Sequence, residues 1–334
     1  MSESQIFEPI PVPVLPDPKP LPELSANEAM MYEKVYQHFV QDGYVVPELE
    51  NGELLEEEKM WLSYECILRY LRATKWDVNE AIKRLEGTLK WRREYGLYDT
   101  VTPDLVEPEA VTGKEFIFGY DTAGRPATYM IPSRQNTEES PRQIQYTVWM
   151  LERAIDLMGP GVETLALMIN YADKAKNTSL STARTVLNIL QTHYPERLGL
   201  ALILNTPWML YAFYKVVTPF IDPITRQKMR FNPKAVADGI FVPEMLVKQW
   251  WGGAMDFEYE HGKYWKGLVG MCDERRRELL EKWREMGAAI GLKEWDVKRA
   301  VEASTSVNNV EESIIVDDEK MSPVEGIPGN GIAI

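Results

Sequence analysis

The sequence predicts an α/β protein in which a helical N-terminal part packs on a sheet. Three observations predict it. Helical periodicity dominates the first hundred residues. A hairpin pattern follows over residues 116–131. Beyond it, two short runs that are apolar at every position, Leu165 to Ile169 and Leu200 to Leu204, flank a helical stretch.

The first helix is rich in Met30, Met31, Tyr32, Val35, Tyr36 and Phe39 and ends near Gly43. An acidic loop with Glu48, Glu50 and Glu53 leads to a second helix through Trp61 and Ile67 to Leu71. Asp77, with Glu80 three residues on, has the form of a capping box. Val78, Ile82, Leu85 and Leu89 then fall on one helical face, and Gly96 supplies a stop. Phe116–Tyr120 and Ala127–Ile131 read as strands joined by the turn Asp121 to Pro126. Ser140 and Pro141 open a long helix with Ile144, Val148, Leu151, Ile155 and Met158 on one face. The two apolar runs suggest strands covered on both faces. With a helix over about residues 181–192 between them, they form a parallel crossover unit. The last ordered element is an amphipathic helix through Trp265, Leu268, Cys272, Leu279 and Trp283.

The organisation that follows is a flexible Pro-rich arm over 1–24, a helical part over 25–100, an α/β domain over 101–260, a C-terminal helical segment over 261–300 and a disordered acidic tail over 301–334.

The chain has 334 residues, 45% of them hydrophobic, enough for a sizeable core. Its 37 basic and 51 acidic side chains leave a net charge of −14. That argues against a nucleic-acid partner, which needs a basic surface. It also argues against a polybasic anchor, so apolar contact or a local basic patch must bring the chain to a membrane. Two cysteines far apart in sequence, Cys66 and Cys272, read as reduced and buried thiols. No basic-then-apolar leader and no run of roughly 20 apolar residues is present, which reads as a cytoplasmic protein that touches membranes without crossing them.

Enzyme motifs are missing. There is no GxSxG elbow, no GxxxxGK[ST] loop and no GxGxxG fingerprint. The three histidines, His38, His193 and His261, form no metal pattern, so neither a metal nor a catalytic residue is assigned. His193 would need a nucleophile to act as a base, and the sequence offers none. Paired-carboxylate hydrolysis is not excluded by counting, but nothing selects a pair.

The segment Pro207 to Phe220 stands apart. It carries Trp208, Met209, Leu210, Tyr211, Phe213, Tyr214, Val216 and Val217, with only Lys215 charged. A helix apolar all round is buried or in lipid. At about 11 residues it would reach roughly 16 Å, too short to cross a bilayer. It reads either as an ordinary core helix or as a lid, hinged at Pro207 and Pro219, that closes over an apolar ligand. A two-chain phospholipid hides roughly 30 methylenes, so on the order of 20 kcal/mol opposes its escape into water and a carrier needs a dry, gated interior.

The chain resembles the CRAL-TRIO lipid-transfer family over about residues 55–286. The resemblance is carried, in order, by LRYLRATKWDVNEA (68–81), KWRREYG (90–96), DTAGRP (121–126), THYPERLG (192–199), NTPW (205–208) and PFIDPITRQK (219–228). Wording such as NILQTHYPERLG and WGGAMDFEYEHGKYW is most similar to fungal phosphatidylinositol-transfer proteins linked with sterol homeostasis and azole tolerance. The resemblance implies a helical tripod beside a mixed sheet whose floor forms a deep lipid pocket, gated by the apolar helix after NTPW. It implies headgroup contacts at Glu196, Thr225 and Lys228. An arginine of the family motif is replaced here by Thr74, with Arg72 or Lys75 as substitutes. Where phosphatidylcholine-exchanging members carry a hydroxyl pair on the central strand, this chain has Leu165 and Leu167. A zwitterionic headgroup would lose its hydrogen bonds there.

What the resemblance implies is therefore a non-enzymatic phosphatidylinositol carrier, poor at phosphatidylcholine, with a sterol as a candidate second ligand and no cofactor. It would influence phosphoinositide and lipid homeostasis. It would meet membranes transiently, at the endosome, lipid droplet, cell periphery or endoplasmic reticulum. A lipid kinase or lipid-synthesis enzyme is the implied partner, and a monomer the expected state, with a dimer the alternative. Two other readings stay open: a sensor or carrier of a non-phosphoinositide hydrophobe in the same fold, and an α/β hydrolase.

Overall fold

The structure is a computed structural model that describes residues 5–13, 23–173, 180–208, 212 and 226–304. Four helices come first: α1 (Ala26–Val40), α2 (Glu56–Trp61), α3 (Tyr64–Ala73) and α4 (Val78–Glu94). They share a core of their own, built on Val35, Phe39, Leu62, Ile67, Leu71, Leu85 and Leu89. Asp77 caps α4 by accepting from the Glu80 N–H. At the other end Gly96 takes φ +77°, and its N–H and that of Leu97 reach back to the Arg93 and Arg92 carbonyls. This paired C-terminal closure needs a left-handed residue, hence the glycine.

Helix α5 (Pro103–Ala110) precedes the hairpin and was not anticipated, because Pro103 and Pro108 interrupt its pattern. Pro103 opens it, where the missing N–H costs nothing. Strands β1 (Glu115–Tyr120) and β2 (Pro126–Met130) pair antiparallel as expected. Helix α6 (Pro141–Asp156), β3 (Leu165–Asn170), α7 (Leu180–His193), β4 (Leu198–Leu204) and β5 (Met229–Phe231) follow. The sheet runs in chain order, β1 to β5, with β2 to β5 parallel. The crossover expected between the two apolar runs is present. The three-residue β5 was too short to show in the pattern.

Register divides the sheet into two unlike faces. Ala127, Tyr129, Ala166, Met168, Leu200 and Leu202 share one face, and all are buried. There Phe116, stacked at 4.7 Å on Tyr129, meets Phe257, Tyr259 and Tyr264. The opposite face carries two rows across the strands, Thr128–Leu167–Ala201–Met229 and Met130–Ile169–Ile203–Phe231. Leu167, Ile169, Met130 and Met229 are only half-buried. The expected cover on both faces is present at Leu165, Ala201 and Ile203, which are buried, but the second face is more open than the first: it is an apolar floor with access at Met130, Leu167, Ile169 and Met229.

The described residues close with α8 (His261–Glu285) and a helical stretch over residues 294–304. Two boundaries differ from the sequence reading. Val301 is buried with Val297, Leu279 and Trp283, so the ordered part passes residue 300. Residues 5–13, placed in a flexible arm, lie on the α/β core. Ile6 bridges to Phe257, its N–H donates to the Asp256 carbonyl at 3.0 Å, and Ile6, Ile10 and Val12 pack on the main core. Prolines with no N–H to satisfy suit such an extended strap. Cys66 and Cys272 are free and buried, as expected.

Candidate functional site: a charged cluster beside an apolar floor

Helix α3 delivers the first part of the site. Its high amphipathicity buries Ile67, Leu68 and Leu71 and turns Arg69 and Arg72, one turn apart, toward the α/β domain. Arg72 Nε donates to Glu196 Oε2 at 2.6 Å, and its guanidinium lies 3.5 Å from Glu163. Glu163 also accepts from Arg69 at 2.7 Å. Arg69 is 3% exposed, so this carboxylate is held from behind by a buried cation. The chain of charges continues: Arg69 lies 3.8 Å from Glu294, which accepts from Lys298 at 2.6 Å. Glu196 and Arg72 form the accessible end of this relay and Lys298 its buried end.

Glu196 sits in a left-handed turn (φ +59°) between α7 and β4. The end of α7 is fastened to the N-terminal helices: Tyr70 Oη donates to the His193 carbonyl at 3.0 Å and Arg84 Nε to the Thr192 carbonyl at 3.1 Å. Orphan carbonyls at a helix C-terminus favour such cationic and hydroxyl donors. Two residues past Glu196, the Leu198 carbonyl accepts from Lys228 Nζ at 2.6 Å. Lys228 enters β5, and its own carbonyl accepts from the Ala201 N–H, which fixes it beside β4.

Of the residues singled out from sequence, the structure thus brings Arg72 and Glu196 into contact and sets Lys228 two residues from Glu196. Thr74 does not join them. It caps α3, its hydroxyl turned back to the Tyr70 carbonyl at 2.9 Å. Lys75 is exposed, and it is Arg72 that pairs with Glu196. Leu165 and Leu167 share the floor face, Leu165 buried and Leu167 half-buried. Thr225, Met209, Leu210, Tyr211, Phe213, Tyr214, Val216 and Val217 lie outside the described residues; Trp208 is described and is 80% exposed. Arg69 and Glu163 were missed. The three-residue spacing of Arg69 and Arg72 on a helix was the available signal for the first, and nothing local signalled the second.

The floor itself is apolar apart from one group. Thr128 Oγ1 is buried with no hydrogen-bond partner among the described residues. The titratable groups nearest a catalytic type are quiet. The His193 ring stacks on Trp91 at 4.1 Å and meets Thr88 Oγ1 at 3.1 Å. Burial, with Arg84 and Arg92 adding to it, holds its pKa down at about 4, so it is a neutral packed ring at physiological pH. Burial pushes the Cys66 thiol up to about 11, far from a reactive thiolate. Among the described residues no cluster of histidine, cysteine and carboxylate side chains could hold a metal, and no helix is long and apolar enough to cross a membrane.

Comparison with known proteins adds the lineage. Residues 110–252 match the CRAL/TRIO domain and residues 31–87 the CRAL/TRIO N-terminal domain. The chain belongs to the CRAL-TRIO family. It is 48% identical over 281 residues to a CRAL-TRIO domain-containing protein of Schizosaccharomyces pombe, covering 82% of this chain but 27% of that longer protein. It is 39% identical over 303 residues to the phosphatidylinositol transfer protein PDR17 of Saccharomyces cerevisiae, covering 83% of this chain and 85% of the relative. The crystal structure of Sfh5 shares the fold, with a TM-score of 0.50 at 15% identity over 77% of this chain and all of that one.

Proposed function

We propose that this CRAL-TRIO chain is a lipid carrier rather than an enzyme, with phosphatidylinositol as its principal ligand, and that it exchanges that lipid at membrane surfaces. The observation that carries the reading is the juxtaposition of an accessible, apolar sheet face with the Arg72–Glu196 ion pair and with Lys228, which is held at the Leu198 carbonyl two residues past Glu196. Acyl chains need the first. A phosphate and a ring of hydroxyls need the second, because buried polar headgroups require charge-assisted partners. The relative PDR17, a phosphatidylinositol transfer protein, supports the same ligand.

In this reading Lys228 and Thr225 bind the phosphate, and Glu196, oriented by Arg72, accepts from inositol hydroxyls. The segment from Trp208 to Val217 serves as the gate. Leu165 and Leu167 present methyl groups where a choline headgroup would need hydrogen bonds, so phosphatidylcholine exchange is poor. The lipid-synthesis or kinase partner, the cytoplasmic and peripheral location and a regulatory role in lipid homeostasis follow from the same reading. Thr128 favours a second one. A lone unsatisfied hydroxyl on an apolar floor suits a flat hydrophobe with one polar atom, such as a sterol.

The test is direct. Mass spectrometry of lipid extracted from the purified protein should find phosphatidylinositol, and Lys228→Ala should lower phosphatidylinositol transfer between vesicles at least tenfold with the fold intact by circular dichroism. Unchanged transfer in Lys228→Ala, or phosphatidylcholine moved as fast as phosphatidylinositol, overturns the reading.

A further inference from the structure

The run Lys248 to Gly253 (KQWWGG) is left unused by the carrier reading. Its Trp251 is buried and meets the Tyr129 ring edge to face at 5.8 Å. Tyr129 belongs to the core face of the sheet, so this contact lies behind the floor. Trp250 takes φ +65°, a left-handed conformation that a bulky side chain holds only under constraint. It carries a cation over its ring: the Arg134 guanidinium carbon lies 5.9 Å from the indole centroid. Arg134 ends the short turn Pro132–Arg134 that follows β2.

These residues enclose a cleft whose walls include Phe116, Phe257 and Tyr259. Three donors face it unmet. Trp251 Nε1 is buried with no hydrogen-bond partner among the described residues. The Val247 N–H faces the Tyr129 oxygen, but the Tyr129 hydroxyl finds no acceptor there either. Arg134 reaches only the Gly113 carbonyl, at a long 3.4 Å, and pairs with no carboxylate among the described residues. Burial pushes its guanidinium below the usual value, and Glu258 and Asp173 act from too far away to restore it.

A cation and two orphan donors in a mainly aromatic cleft call for an anion with an apolar body. The enclosed space is about 10 Å³, room for one water-sized group. A carboxylate can send one oxygen inside and leave the other on Arg134, whereas a tetrahedral phosphate is too wide. The body behind the carboxylate then has the exposed Trp250 ring to lie on. We infer that this cleft is a second ligand site, for a small organic carboxylate, held by Arg134 together with the Trp251 and Tyr129 donors. Open α/β sheets take ligands at the carboxyl ends of parallel strands, and the cleft lies at that end of β2, which runs parallel to β3. The site is separate from the floor, so the inference goes beyond the carrier reading and does not depend on it.

The probe is phenylacetate, titrated into the full chain and followed by nuclear magnetic resonance of the ligand and of the indole N–H signals. Binding should saturate with a Kd of about 1 mM or below, the scale for a ligand of about ten non-hydrogen atoms. Phenylacetamide, the same shape without the charge, should bind at least about tenfold more weakly, and inorganic phosphate should not compete. Arg134→Gln should weaken phenylacetate by about tenfold or more, and Arg134→Lys nearly as much because the planar fork is lost. Trp251→Phe keeps a ring and drops the N–H, and should cost about fivefold. Lys266→Gln, an exposed charge elsewhere, should bind normally. Circular dichroism reports that the variants are folded; where one is not, the comparison of phenylacetate with phenylacetamide on the unmodified chain decides. The inference is overturned by an absence of saturable binding, which would leave the cleft to water. Equal binding of the two probes, competition by phosphate, unchanged affinity in Trp251→Phe or in both Arg134 variants, or displacement of phenylacetate by phosphatidylinositol overturns it too. Failure of Lys228→Ala to affect phosphatidylinositol transfer would instead strike the carrier reading and leave this result standing.

Discussion

Glu115 begins β1 fully enclosed, its Oε1 accepting from Thr147 of α6 at 2.8 Å. Burial pushes its carboxyl up to about 7, with the Thr147 hydrogen bond and Lys114 only partly offsetting it. A carboxyl raised in the fold binds its proton more tightly folded than unfolded, so stability falls as pH rises from about 4.5 to 7 and stays lower above. Glu115→Gln should therefore stabilise the protein at pH 8 by on the order of 2–3 kcal/mol, and by almost nothing at pH 4.5. Urea unfolding at the two pH values checks this, and an effect independent of pH would contradict it. His193 offers a companion test. Its ring should stay neutral down to about pH 4 in a nuclear magnetic resonance titration, whereas a solvated imidazole would titrate near 6.5. Neither property was legible in the sequence. Glu115 stands in an otherwise apolar strand and His193 in a motif that invites a functional reading, and only the packing partners Thr147 and Trp91 decide what each does.

Among elements, α3 ties together segments far apart in the chain. Its Arg69 and Arg72 share Glu163, and its Glu65 accepts from the Glu294 N–H at 2.7 Å and the Trp295 N–H at 3.3 Å. Glu65 thereby caps the helical stretch 294–304 from across the fold, supplying the acceptor that sequence neighbours do not. Glu65→Ala should cost about 1–2 kcal/mol and speed amide hydrogen exchange in residues 294–304 before it does so in α4; uniform acceleration would mean the contact is not a local cap. Glu163→Gln should be costlier, about 3 kcal/mol, because it leaves Arg69 buried with Glu294 at 3.8 Å as the nearest remaining carboxylate. It should also lower phosphatidylinositol transfer several-fold while leaving binding of an uncharged hydrophobe unchanged, because Arg72 loses its orientation but the floor does not.

Strands, the hairpin and the long helices could be read from periodicity because each satisfies its pattern locally. The elements that escaped lack that property. Helix α5 is broken by Pro103 and Pro108. Strand β5 is three residues long. The strap at residues 5–13 alternates apolar side chains with prolines, and its partner Phe257 lies some 250 residues away. In the same way Glu196 and Lys228 were visible through family wording, while Arg69 and Glu163 depend on contacts between segments about 90 residues apart.

At the scale of the whole molecule, the helical part and the α/β part are joined through a buried ion pair. Arg92 of α4 grips Glu152 of α6 with two hydrogen bonds of 2.9 and 3.0 Å, and Tyr194 donates to the same carboxylate at 2.6 Å. Burial alone would raise the Glu152 carboxyl, but the Arg92 guanidinium overrides it and holds the pKa at about 2. A carboxyl lowered in the fold contributes stability above its unfolded value near 4.5, and this is lost as pH falls toward 2. The expected outcome is that Glu152→Gln destabilises by roughly 3 kcal/mol at pH 7 and far less at pH 3. Thermal melts across that range measure it; a constant difference would place the Arg92 contact outside the acid response.

The proline-studded strap has a practical bearing on any shortened version of this chain. Cutting away the opening thirteen residues would strip Ile6, Ile10 and Val12 from their seat and lay bare greasy surface along the α/β half. A trimmed protein should clump in concentrated solution where the untrimmed one stays dispersed.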